Sequence, residues 1–190
     1  MKDLKEFDIS FMGLKDGMHQ FEYEIDSEFF DFFDYEEFNN SNVKVVLSFL
    51  KKPTMFELNF KCNGWVEVHC DVTGELFHQP IDANLDLIVK FGNEYNDDNE
   101  ELLIIPHSEF KINVAQYIYE EIVLAVPIKR IHPGVADGSL KSEVLDKLKE
   151  FEIKVEEQQE EEQSTDKEVD PRWNKLKNIL IEKNKSNGTS

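Results

Sequence analysis

Through the first half of the chain, apolar residues fall on every second position. Phe7, Ile9 and Phe11 alternate with polar neighbours, as do Phe21, Tyr23 and Ile25. This is the period of half-buried strands. Gly13-Leu14-Lys15-Asp16-Gly17 is a turn-rich link between them. Ser27 is placed to cap a Phe-rich helix over 28–38, and Asn39-Asn40-Ser41-Asn42 is a loop. Residues 43–50 predict the next strand, ended by Lys51-Lys52-Pro53.

The centre predicts a strand meander. Phe56, Leu58 and Phe60 alternate, Asn63-Gly64 carries turn residues, and Val66, Val68 and Cys70 alternate again. A two-residue loop at Asn63-Gly64 would put the two apolar sets on opposite faces. A three-residue loop, with Gly64 left-handed, pairs Phe60 with Val66 and Leu58 with Val68 and gives one apolar face. We therefore expect the three-residue loop. A second turn lies around Thr73-Gly74, followed by alternation at Leu85, Leu87, Val89 and Phe91. Residues 93–101 are an acidic loop, and Leu102-Leu103-Ile104-Ile105 is a short strand stopped by Pro106.

The period then changes. Asn113 and Gln116 are spaced as a capping box for a helix over 114–126. Ile118, Ile122 and Val126 share one face, with Ala115, Tyr119, Val123 and Leu124 adjoining, so the helix is buried, and Pro127 ends it. Leu140, Val144, Leu145, Leu148 and Phe151 predict another amphipathic helix. Residues 156–168 are polar and mostly acidic, a solvated helix end or a disordered linker. Asp170-Pro171 then suits a helix start, with Asp170 as N-cap and Pro171 at the first turn. Trp173, Leu176 and Leu180 recur at helical spacing with Ile179 beside them.

The expected fold class is α+β: an antiparallel, strongly curved, barrel-like sheet covered by the buried 114–126 helix. Three regions follow: a core domain over 1–138, a helix plus acidic linker over 139–169, and a short basic amphipathic helix and tail over 170–190. No internal repeat is evident.

With 190 residues, 40% of them hydrophobic and 15 of them Phe, the chain can bury a real core. It has no long apolar run and no basic-then-apolar start, so neither a membrane span nor a signal peptide is expected, and the expected compartment is the cytoplasm. Charge is unevenly spread. Residues 170–190 hold five basic and two acidic residues, +3, so the other 169 carry −22 of the total −19. Such a body repels phosphate backbones and excludes broad nucleic-acid binding through charge. It suits solubility or a basic protein partner.

Candidate chemistry is sparse. On the hairpin reading, Cys62 sits at the tip and Cys70 roughly 15 Å down the returning strand, at ~3.3 Å per residue, too far for a disulfide. Cys70 with His78 supplies only two ligands, fewer than a zinc site needs, so Cys70 reads as a small core residue. The five histidines form no metalloprotease-like pair, and no phosphate loop, nucleophile elbow or Ser-His-Asp spacing occurs. No catalytic residue, metal or cofactor is therefore expected, and no small-molecule substrate. Lys129, Arg130 and His132 form a basic cluster, either a surface turn or a contact for phosphate or an acidic partner. Trp65 reads as a contact at the hairpin tip or as packing against a strand. Arg172, Lys175 and Lys177 flank the C-terminal stripe, where Trp173, Leu176 and Leu180 dock on the domain itself or on a partner.

Three stretches resemble the bacterial YceD family, the large ribosomal RNA subunit accumulation proteins. Cys70-Asp71-Val72-Thr73-Gly74-Glu75-Leu76-Phe77 with Pro80-Ile81 is similar to its central turn, which typically reads Cys-Asp-Arg-Cys-Leu-Glu-Pro. Glu121-Ile122-Val123-Leu124-Ala125-Val126-Pro127-Ile128 is similar to its apolar helix, and Asp170-Pro171-Arg172-Trp173 through Leu180 to its closing motif. Val72 and Thr73 stand where the family has arginine and a second cysteine, and His132-Pro133 where many relatives have another. Metal binding proposed for cysteine-rich relatives therefore does not carry over. The resemblance implies a non-catalytic accessory factor in large-subunit biogenesis. Its implied partners are a ribosomal protein, large-subunit ribosomal RNA, or both. Bacterial members are linked with a small zinc-binding protein of that subunit. An RNA-processing enzyme and a protein-binding regulator unrelated to ribosomes are the alternatives.

Overall fold

The computed structural model describes residues 4–99 and 101–151. The chain divides into two units, Met1–Lys141 and Ser142–Ser190. In the first, two 3-10 turns, Leu4–Phe7 and Phe11–Gly13, flank β1 (Asp8–Ser10). Then come β2 (Gly17–Ile25), α1 (Ser27–Asp31), β3 (Asn40–Lys51), β4 (Met55–His69), β5 (Leu76–Gly92), β6 (Asn96–Asn99), β7 (Leu102–Pro106), β8 (Lys111–Asn113), α2 (Ala115–Ala125) and α3 (Pro133–Ala136). In the second unit, α4 spans 143–151. No helix among the described residues is long and apolar enough to cross a membrane.

The sheet has six strands in the order β2-β3-β4-β5-β7-β6, and β1 pairs with β8 in a separate ribbon. All sheet pairs are antiparallel except β5 with β7, which run parallel. The chain is thus α+β with a mixed, mostly antiparallel sheet. The barrel-like closure expected from sequence does not occur: β2 and β6 are separate edges and the sheet is open. Closure is unnecessary because other elements cover the apolar face. Ile118 and Ile122 of α2 are fully buried, as are Phe29 and Phe30 of α1, and Phe7, Ile9 and Phe11 join them from the N-terminal segment.

The expected hairpin at Asn63-Gly64 is also corrected. β4 runs straight through it for 15 residues. Phe56, Leu58, Phe60, Cys62, Val66 and Val68 are buried on one face, and Gly64 occupies the same face. Side chains alternate along a strand, so a run of even positions stays in phase without a turn. Phe60 pairs with Leu47 and Leu85, not with Val66. Cys62 therefore lies in mid-strand and Trp65 is no hairpin tip. Both cysteines are free and buried.

Two helix expectations are adjusted. The 28–38 helix is only five residues long, because the chain folds back on itself after Asp31. The Phe30 carbonyl accepts from the N–H groups of Phe33 (3.0 Å) and Tyr35 (3.2 Å), and Asp34 takes a positive φ of 52°. This tight turn aims Phe29, Phe30, Phe33, Tyr35 and Phe38 into one aromatic cluster, which a regular helix would spread around its circumference. At α2 the capping box is half formed. Asn113 Oδ1 accepts from the Ala115 N–H at 3.0 Å, but the Gln116 amide donates to Glu120 (2.8 Å). Residues 93–101, expected to be loop, include the short edge strand β6.

Candidate functional site

β4 and β5 are joined by the turn Cys70–Glu75, and this turn organises one end of the sheet. The Cys70 N–H donates to the Glu75 carbonyl and the Gly74 N–H to the Cys70 carbonyl, both at 2.8 Å. Gly74 adopts φ 73°, which glycine accepts without strain. Burial would raise the Cys70 thiol pKa, but hydrogen bonds from the His132 N–H and from Thr73 and Val72 outweigh it and hold the thiol below its ordinary value. The His132 N–H lies 3.3 Å from Sγ. Cys62 differs: burial, with Glu121 adding to it, pushes its thiol up to about 12.

Arg130 is fastened into this region. Its backbone N–H donates to Asp71 Oδ2 (2.7 Å) and its carbonyl accepts from the Asp71 N–H (2.8 Å). Its guanidinium reaches Glu37 Oε2 at 2.8 Å and Asp71 Oδ1 at 3.7 Å. The cation thus ties the turn, the segment after α2 and the loop after α1 together. Lys129 beside it is exposed. His132 turns inward: Nδ1 accepts from the Gly134 N–H (2.9 Å) and its ring meets Phe77 edge-on at 5.5 Å. The three basic residues therefore do not form one basic surface. Trp65 stacks on His78 at 3.8 Å on the opposite face of the sheet from the core. Arg172, Lys175, Lys177, Trp173, Leu176 and Leu180 lie outside the described residues.

Among the described residues no three His, Cys, Asp or Glu side chains gather as metal ligands. What the region offers instead is a rigid frame at the Cys70 turn and, along α2, a partly open groove.

That frame and α2 both fall inside a match to a known family. Residues 58–180 match the model described as "Large ribosomal RNA subunit accumulation protein YceD". The chain belongs to the YceD family. No curated protein and no solved structure matches it. The YceD match covers most of β4, all of β5 through α2, and the segment beginning at Asp170. It leaves β1, β2 and β3 outside. The family is named for accumulation of an RNA and not for a reaction. Within the YceD turn, Thr73 holds the place expected for a second cysteine and hydrogen-bonds Cys70 itself.

Sequence reasoning missed the groove entirely. It lies between α2 and β6, lined by Leu85, Asp97, Tyr117, Glu120, Glu121 and Leu124 among others. One signal was readable: 117, 120, 121 and 124 share a helix face, and that face mixes tyrosine and glutamate where a fully buried helix would be apolar. The 93–101 segment read as loop hid the opposing wall.

Proposed function

We propose that this chain is a non-catalytic accessory factor in large ribosomal subunit biogenesis or ribosomal RNA accumulation. It acts by binding a ribosomal protein, large-subunit RNA, or both. The observation that carries this reading is the family match over 58–180, which spans the Cys70 turn, α2 and the first part of the basic C-terminal segment, including Arg172, Lys175 and Lys177. Charge supports a division of labour. The 169 residues with net charge −22 attract a basic protein and repel RNA. RNA contact is left to Lys129 and to Arg172, Lys175 and Lys177. Arg130 contributes by holding the 129–132 segment, since its guanidinium is already engaged by Glu37 and Asp71. Trp173, Leu176 and Leu180 supply the apolar stripe by which the C-terminal segment docks.

Removing the chain from its host should lower large-subunit ribosomal RNA relative to small-subunit RNA, and the wild-type chain should restore the ratio. Restoration by a chain with Arg172, Lys175 and Lys177 all changed to Glu should be incomplete. Ribosomal association of the wild-type chain should weaken as salt rises, while that of the variant should be weaker at low salt and depend less on salt, because few phosphate contacts remain to it. An unchanged RNA ratio on removal contradicts the function. Full restoration by the charge-reversed chain removes the RNA contact.

A further inference from the structure

The groove beside α2 has two unlike walls. One is the helix face carrying Tyr117, Glu120, Glu121 and Leu124, spaced i, i+3, i+4 and i+7. The other comes from Leu85 of β5 and from β6, the outermost strand of the sheet, which contributes Asp97. Between them is a space of about 460 Å³. Its floor is apolar and aromatic, and three carboxylates stand around it. Among the described residues no lysine or arginine lines it.

Each wall is held in place by neutral donors. Leu124 is 80% exposed although it sits on the helix that anchors the core. The Tyr117 hydroxyl is hydrogen-bonded to that of Tyr95, which in turn donates to Asp97 Oδ2 at 3.2 Å. Glu120 accepts a neutral amide, from Gln116. Burial holds the Glu121 carboxyl above the usual carboxylate range, partly offset by the Asn84 N–H. A half-buried carboxylate that meets no cation among the described residues is stabilised when one arrives. A tyrosine face adds attraction for lysine or arginine, and Leu124 offers an anchor for an apolar side chain.

We propose that this groove docks a segment of a partner protein rich in lysine and arginine, laid along the exposed face of α2. Charge complementarity argues for that occupant. Nucleic acid is excluded from the groove by the same three carboxylates, and a purely apolar helix would bury them unpaired at a cost. The proposal rests on the reading of this chain as a binder of a ribosomal protein and names where the basic partner sits. The partner's aliphatic stems and one apolar residue would cover Leu124, while its cations meet Asp97, Glu120 and Glu121.

The test uses the full chain and a fluorescein-labelled peptide of alternating lysine and arginine with a central leucine, read by fluorescence anisotropy. Asp97→Asn with Glu120→Gln and Glu121→Gln should weaken binding by about tenfold or more. Leu124→Ser, at an exposed position, should weaken it by about threefold with an unchanged melting curve. A control removes the same amount of charge elsewhere, through Glu24→Gln, Glu28→Gln and Asp82→Asn, and should stay within about twofold of wild type. Equal losses in the two triple variants, or none in the groove variant, would overturn the proposal. Co-purification of ribosomal components with the wild-type chain is scored separately. If those components are retained while the groove variant binds like wild type, only the groove is wrong. If they are missing while the peptide still discriminates, the groove stands and the ribosomal reading falls.

Discussion

Gly64→Ala is expected to be the most damaging single-methyl change in the chain, lowering stability by about 3 kcal/mol or preventing folding altogether. A methyl built on Gly64 would lie 2.1 Å from the Asn42 carbonyl oxygen and 2.7 Å from Val43 Cα. Both atoms belong to the backbone of β3, which is paired to β4 through Val43 opposite Gly64. Side chains cannot swing aside to make room, so one strand must move. That movement would disturb a ladder running from Asn40 to Lys51. Gly13 is the control, because a methyl there meets nothing within 4 Å. Gly13→Ala should shift stability by no more than about 0.5 kcal/mol. Urea unfolding followed by circular dichroism separates the two. A Gly64→Ala protein as stable as wild type would mean that β3 and β4 do not approach this closely.

Phe30→Ala should cost about 3–5 kcal/mol, the range for emptying a large buried aromatic site. Phe30 is 1% exposed. Its ring meets Phe38 at 4.9 Å, Phe29 at 5.4 Å, Tyr35 at 6.2 Å and Tyr119 of α2 at 6.3 Å. The residue thus joins the loop after α1 to the helix that covers the sheet. Truncation would leave a cavity ringed by other aromatics on separate elements, with Tyr35 held by the turn at Phe30 and Tyr119 held in α2, so the site cannot fully collapse. Met18→Ala, at a 65% exposed position, should stay within about 0.5 kcal/mol. Matching losses at the two sites would contradict the packing described.

The strands were legible wherever side-chain alternation was strong. β2 and β7 fall where the pattern put them, and β3 does from Val43 on, although it begins at Asn40 inside the expected loop; the 7–11 alternation yields only β1, with Phe7 and Phe11 in 3-10 turns. The burial of Ile118 and Ile122 followed from their helical spacing. Asn63-Gly64 is a strong local turn signal and predicts a hairpin where β4 runs through. The phase argued otherwise: apolar residues keep even positions from Phe56 to Cys70, with Gly64 at one of them. There the glycine serves close strand approach instead of a turn. Residues 28–38 were read as helix because Phe-rich helices and Phe-rich turns share a composition. What selects the turn is the need to aim several rings at α2, whose sequence lies some eighty residues away.

The site was less legible for the same reason. Lys129, Arg130 and His132 look like one basic cluster in sequence. Their fates separate only once Glu37, from the loop after α1, and Asp71, from the Cys70 turn, are brought to Arg130, and once His132 turns towards Phe77. Distance in the chain also concealed the groove, since Asp97 and Glu121 belong to segments with no local reason to meet. The Cys70 turn, by contrast, is local, and both its Gly74 reversal and its single cysteine were readable directly.

Affinity purification of the tagged full chain from its host, scored for ribosomal proteins and ribosomal RNA, decides whether this chain works at the large ribosomal subunit. The account predicts enrichment of large-subunit components over small-subunit ones. Recovery of neither, with an unrelated protein enriched in their place, would contradict it and favour a regulator that acts away from the ribosome.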